Sequence, residues 1–142
     1  MRPAAADFRL YLFWIAASNL GWETAQLPLY GLWRSGSAGG LIFAVVHCTA
    51  GDVLIAAAAL FLAITITRSS WSESPRRAAL PLCILLGTAY TVFSEWLNAD
   101  LRQSWNYSAL MPTVPMLGTG ISPLLQWLLL PPLCWRRSFA RR

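Results

Sequence analysis

Three carboxylic acids lie inside long apolar stretches of the sequence, where acids are rarely found. Glu23, Asp52 and Glu95 each fall in a different apolar segment. An acid at the bilayer centre costs roughly 2.5 to 3.5 kcal/mol on insertion scales, so acids placed there usually serve a function. His47 is the nearest basic side chain within these segments, because the arginines lie toward their ends. These four residues are therefore the predicted catalytic or metal-binding groups.

Polar and aromatic neighbours accompany the acids at helical spacing. Two sets of residues follow the pattern i, i+3, i+4, i+7, which places each set on one helix face: Asn19, Trp22, Glu23 and Gln26, and Thr91, Ser94, Glu95 and Asn98. A later segment adds one amide, Gln126, and the connection before it carries two aromatic residues. The predicted substrate-binding residues are Trp22, Gln26, Asn98, Trp105, Tyr107 and Gln126.

The composition indicates that membrane-spanning helices must position these residues. The chain has 142 residues, of which 56% are hydrophobic and 12% are charged, and its mean hydropathy is +0.49. An ordinary soluble domain carries about 25% charged residues. A water-soluble fold would have too few charges for its surface, so we expect an integral membrane protein.

Four apolar segments are long enough to cross a hydrocarbon core of about 30 Å. The sequence therefore predicts an all-α bundle of four transmembrane helices in a single domain, 1–142. The predicted spans cover roughly 8–32, 41–67, 78–98 and 118–135, with an outer loop at 99–117. Pro131 and Pro132 should distort the last turn of the fourth span.

The arginines predict the orientation of the bundle. One side would hold nine of them and the other only Arg34 and Arg102, and the side rich in basic residues is normally cytoplasmic. Both termini are therefore predicted to be cytoplasmic. The basic residues are all arginine and alanine is abundant, which suggests a bacterial inner membrane. The nine are Arg2, Arg9, Arg68, Arg76, Arg77, Arg136, Arg137, Arg141 and Arg142.

The predicted depths bring the candidate residues to one side of the membrane. Glu23, His47, Asp52, Glu95 and Gln126 would all lie within about eleven residues, or roughly 17 Å, of the outer ends of their spans. Residues on different helices can meet only at similar depths. The sequence thus predicts a polar pocket that faces the outer leaflet. The loop at 99–117 either folds back over this pocket as a lid or supplies an ordinary belt of interfacial aromatic residues.

Three functional hypotheses use this pocket. Carboxylates and imidazole are suitable ligands for iron, manganese or zinc. The same groups can perform acid/base chemistry on a small apolar or lipid-like molecule that enters from the bilayer. They can also relay protons or bind a cation in a transporter, which would require an oligomer of four-helix chains. Haem is disfavoured because a single histidine offers one conventional axial ligand.

Non-enzymatic hypotheses explain the same residues. Amides, hydroxyls and protonated acids can hold helices together, each hydrogen bond contributing about 0.6 kcal/mol. The chain would then be a subunit or assembly factor of a larger membrane complex, with a membrane protein or a second copy as its partner. Whether it is an enzyme stays open on this evidence. Nucleic acid is not an expected partner despite the net charge of +5, because arginines at the ends of apolar segments orient helices and meet anionic lipid.

Overall fold

The computed structural model describes residues 4–68 and 78–139, and regular structure within these ranges is helical. A 3₁₀ turn follows the first helix, and a turn of π-helix, Trp96–Leu101, continues the fourth. Two isolated β-bridges join loop residues, Tyr30 with Tyr107 and Thr113 with Gly120. The α-helices are α1 (Ala4–Gln26), the short α2 (Leu32–Ser35), α3 (Ala38–Ile66), α4 (Ala79–Glu95) and α5 (Ile121–Phe139).

The four long helices coincide with the four apolar segments of the sequence, and local signals set several of their ends. Helix α1 stops at Gln26, and the 3₁₀ turn Leu27–Leu29 contains Pro28, which lacks the N–H that an α-helix needs. Helix α3 begins after Ser37, whose hydroxyl accepts a hydrogen bond from the Gly40 N–H at 3.1 Å. Helix α5 continues through Pro131 and Pro132 to Phe139, beyond the predicted end at 135.

The long helices pack in a ring in which each contacts two others. Helices α1 and α4 each lie against both α3 and α5. The contacts between α1 and α5 run in opposite directions along the two helices. Ser18 of α1 contacts Cys134 of α5, and Phe8, earlier in α1, contacts Phe139, later in α5. These two helices are therefore antiparallel. The arrangement gives the ring a common interior, to which each helix presents one face.

The interior of the ring is apolar at one end and polar at the other. The apolar end contains Tyr11, Ile15, Leu60, Cys83 and Trp135, all at least 94% buried. The polar end contains buried side chains from α1, α4 and α5. Because Asp7, Tyr11, Ile15, Asn19, Glu23 and Gln26 are spaced at three or four residues, one continuous face of α1 crosses from the apolar end to the polar end.

The outside of the ring is strongly apolar. Among the exposed side chains are Phe43 (68% exposed), Leu54 (72%) and Leu85 (64%). Two helices in the described part of the chain, Ala38–Ile66 and Ala79–Leu101, are long and apolar enough to cross a membrane. Only 28% and 22% of their most apolar stretches are buried, whereas a helix in the core of a soluble protein would be mostly buried. Part of the evidence for orientation, including Arg76, Arg77 and both termini, lies outside the described residues.

Candidate functional site

Gln126 lies at the centre of the polar end of the ring. Its side chain is 3% exposed, and its Nε2 atom lies 2.6 Å from Asn19 Oδ1, 2.8 Å from Asp52 Oδ2 and 3.1 Å from Glu23 Oε1. An amide nitrogen carries two hydrogens, so it donates to at most two of these three oxygens at once. Gln126 therefore links three helices, α1, α3 and α5, through one donor group.

Glu23 and Asp52 form a carboxyl pair within this network. Glu23 Oε1 and Asp52 Oδ2 lie 3.1 and 2.8 Å from the same nitrogen, Gln126 Nε2, and Glu23 is 9% exposed. The six arginines in the described ranges are all exposed, so none of them is buried beside the pair. Two neighbouring carboxylates repel each other, which favours a state in which one of the two holds a proton.

A second chain of hydrogen bonds reaches Glu23 from the other direction. Trp22 Nε1 donates to Ser122 Oγ at 3.2 Å, and Ser122 Oγ donates to Gln26 Oε1 at 2.7 Å. Gln26 Nε2 then donates to Glu23 Oε1 at 2.8 Å. Glu23 Oε1 therefore has a donor of its own in Gln26, beside the Gln126 amide that it shares with Asn19 and Asp52. Hydrogen bonds from N–H groups stabilise the charged form of a carboxyl group.

Glu95 lies beside this network and is held by the loop that follows α4. The carboxyl group is 8% exposed and accepts hydrogen bonds from the Tyr107 hydroxyl and from Trp105 Nε1, the latter at 3.4 Å. The Gly120 N–H donates to the Tyr107 oxygen at 3.0 Å. Burial raises the pKa of Tyr107, and its hydrogen bond to Glu95 raises it further. Glu95 is near enough to Glu23 for their charges to interact.

The loop between the π-helical turn and α5, residues 102–120, folds back over the polar end, and we call it the lid. It pairs with the chain that follows α1: the Gly31 N–H donates to Asn106 O at 2.9 Å, and the Ser108 N–H donates to Leu29 O at 2.8 Å. The Ser108 hydroxyl adds a bond to Pro28 O at 2.9 Å. Since Pro28 lies two residues after Gln26, the lid is joined directly to the end of helix α1 that carries the network.

A groove of about 380 Å³ opens on the outer side of α4, next to the lid. Its lining includes Val92 and Trp96, which flank Glu95 along the helix, and Met116 and Thr119 from the lid. Thr119 directly precedes Gly120, whose N–H holds the Tyr107 oxygen. Thr119 is the polar residue of the lining, and neither Glu95 nor Tyr107 is part of it. The volume of the groove falls within the usual range of small-molecule sites, about 300 to 1,000 Å³.

The structure brings together most, but not all, of the predicted site residues. Trp22, Gln26 and Gln126 join Glu23 and Asp52 in one network, and Trp105 and Tyr107 join Glu95. Asn98 lies in the π-helical turn and bonds to its own chain, donating to Ser94 O at 2.9 Å.

His47 lies apart from the three acids. Its ring is exposed and stacks on Phe43 with centroids 5.4 Å apart. The reason is its position on α3: Val45, Ala56, Ala59 and Ala63 mark the buried face, and a residue two positions after Val45 points about 200° away. In the described ranges there is no group of three or more histidine, cysteine, aspartate and glutamate side chains placed to hold a metal ion.

Two members of the network are not among the predicted site residues. The helical spacing places Asn19 on the polar face of α1 but does not indicate its contact with Gln126. The predicted polar faces do not include Ser122. Its one signal in the sequence is its position four residues before Gln126, which places both side chains on the same face of α5.

The site thus groups two acids around one amide, with a third buried acid held by the lid. Comparison with models of known protein families, with curated proteins and with solved structures found no match to this chain.

Proposed function

We propose that this chain is a four-span protein of a bacterial inner membrane, with both termini cytoplasmic, that performs acid/base chemistry on a small apolar or lipid-like molecule. The observation that carries the proposal is that two acids from different helices, Glu23 and Asp52, meet at one nitrogen, Gln126 Nε2, at 3.1 and 2.8 Å. A general acid or base requires a titratable group that can hold and release a proton within reach of the reacting atom.

The surroundings of the pair favour an apolar substrate. The outside of the ring is rich in exposed apolar side chains, and the groove beside Glu95 is lined largely by apolar residues of α4 and the lid. A molecule dissolved in the bilayer could enter this groove without crossing water. Thr119 would be the polar residue that it meets in the groove, and Glu95, which directly precedes Trp96, would lie close by.

A trapping experiment tests this function. The Asp52→Asn variant keeps the size and polarity of the side chain but removes the shared proton, so it should bind the substrate without converting it. We expect mass spectrometry of lipid extracts to show a small apolar molecule enriched on purified Asp52→Asn and Glu23→Gln protein relative to wild type. The exposed residue Asp100 provides a matched control, because Asp100→Asn leaves the network intact.

Two results would oppose the proposal. Folded variants with the same bound molecules as wild type would show that the pair has no role in turnover. Loss of folding in both Asp52→Asn and Glu23→Gln, with Asp100→Asn folded, would instead support a structural role for the network. Circular dichroism of each purified variant separates these cases.

A role as a subunit or homo-oligomer is the second candidate, and the placement of His47 favours it. An exposed histidine within a predicted span faces hydrocarbon unless another chain covers it, and ionisable groups rarely face lipid. The subunit hypothesis predicts that wild type purifies as a stoichiometric assembly. Light scattering in mild detergent should then show dissociation of His47→Ala, while Thr65→Ala, another exposed polar position on α3, stays assembled. A monomeric wild type would contradict it.

A further inference from the structure

The hydrogen-bond chain from Trp22 to Glu23 has a fixed direction. An indole N–H can donate but not accept, so Ser122 Oγ must be the acceptor in its 3.2 Å contact with Trp22 Nε1. The single hydrogen of the Ser122 hydroxyl is then available for Gln26 Oε1, 2.7 Å away. In this arrangement the Gln26 amide turns its NH₂ group toward Glu23 Oε1, at 2.8 Å.

The donors around the two acids are unequal. Glu23 Oε1 receives the Gln26 N–H at 2.8 Å and also lies 3.1 Å from Gln126 Nε2, whose two hydrogens are shared among three oxygens. Asp52 Oδ2 has one amide neighbour in the network, the same Gln126 Nε2 at 2.8 Å. Hydrogen bonds to the charged form of a carboxyl group favour that form, so the additional donor at Glu23 favours the carboxylate there and leaves the proton of the pair to Asp52.

We propose that Trp22 and Ser122 are positioning residues that act through Gln26 to make Glu23 the carboxylate and Asp52 the carboxylic acid of the pair. This inference deepens the proposed acid/base function and rests on its shared proton. Glu23 is then the group that accepts a proton during the reaction, and Asp52 is the group that supplies one. Neither Trp22 nor Ser122 needs to touch the substrate.

Infrared spectroscopy with selective isotope labels tests the assignment. A protonated carboxyl group has a C=O stretching band distinct from that of a carboxylate, and ¹³C in the side-chain carboxyl shifts it. We expect wild-type protein to show a band that moves with ¹³C-aspartate. Asp52→Asn should lose this band, whereas Glu23→Gln should keep it, because Asp52 can still donate to the amide oxygen.

The positioning residues are tested in the same measurement. Ser122→Ala removes the hydroxyl that holds Gln26, so we expect the aspartate band to shift or weaken. Ser122→Thr restores a hydroxyl at the same position and should return the band to its wild-type frequency. Ser94→Ala serves as a matched control, because Ser94 is half-buried and contacts Asn98 outside this network. A merely structural role of Ser122 would not produce a change confined to the carboxyl band and rescued by threonine.

Each contrary result identifies a different error. A band that moves with ¹³C-glutamate, disappears in Glu23→Gln and persists in Asp52→Asn would reverse the assignment while leaving the shared proton in place. An unchanged band in Ser122→Ala would overturn the positioning role. If neither Asp52→Asn nor Glu23→Gln lost a protonated band, the shared proton would be absent, and the proposed function would fail with the inference.

Discussion

Replacing Gln126 by leucine should destabilise the bundle, although leucine suits an apolar environment better than glutamine. The substitution nearly preserves side-chain volume but removes the donor that serves Asn19, Glu23 and Asp52. The amide can form two hydrogen bonds at once, and hydrogen bonds between membrane helices contribute about 0.6 kcal/mol on average and about 1.7 kcal/mol at most. The expected loss is therefore about 1 to 3 kcal/mol in the free energy of unfolding.

The measurement is an unfolding titration of the purified protein in mixed detergent micelles, with helix content followed by circular dichroism. Gln103→Leu provides the matched control: the chemical change is the same, but Gln103 is exposed in the lid. Exposed substitutions usually change stability by less than about 0.5 kcal/mol. Gln126→Leu should unfold at a clearly lower denaturant fraction than both wild type and this control.

One outcome would refute the reasoning behind the network. If Gln126→Leu were as stable as wild type or more stable, the three oxygens around Nε2 would have to find other donors at no cost. The polar end of the ring would then not be organised around this amide. Its residues would have to be explained by something other than mutual hydrogen bonding.

Two further predictions concern the packing of the helices and the lid. Gly87→Ala should lower the free energy of unfolding by about 1 to 3 kcal/mol, the usual cost of overpacking, because an added methyl group would overlap the Trp127 ring. Gly21→Ala is the control and should leave the stability unchanged, because its methyl group would meet no atom within 4 Å. The same unfolding titration measures both. The raised pKa of Tyr107 keeps its hydroxyl neutral in the folded protein. The contribution of this hydroxyl to stability is therefore complete below about pH 10, the ordinary pKa of tyrosine. That contribution is lost as the pH rises toward the raised pKa. Wild type should therefore lose stability relative to Tyr107→Phe only at alkaline pH, and a constant difference between them from neutral to strongly alkaline pH would contradict this.

The positions of the helices follow from the sequence, because length and apolar character are local properties. The four apolar segments became α1, α3, α4 and α5, and the polar face of α1 was visible in its spacing. The rotation of α3 was not predictable in the same way. Its apolar residues surround the helix, so no stripe distinguishes the side of Asp52 from the side of His47. Predicted depth in the membrane places Asp52 and His47 in the same pocket. In the structure, the packing of α3 against α1 and α4 turns His47 outward.

The lid was harder to anticipate than the helices. Its contacts are hydrogen bonds between backbone groups, such as Gly31 N to Asn106 O and Ser108 N to Leu29 O, and these leave no pattern of residue types in the sequence. Ser122 was missed for a related reason. A single serine near the start of a helix is usual, and its role depends on Trp22 and Gln26, which lie about a hundred residues earlier.

The bonds that hold the lid down also limit how often it could lift. Lifting requires the bonds Gly31–Asn106, Ser108–Leu29 and Ser108–Pro28 to break, and with them the contacts of Trp105 and Tyr107 with Glu95. At a net cost of about 0.5 to 1.5 kcal/mol each, the open form would be present in roughly one molecule in seventy to one in a few hundred thousand at equilibrium. A ligand that reached the acids through the lid, rather than from the groove on α4, would be limited by these rare openings.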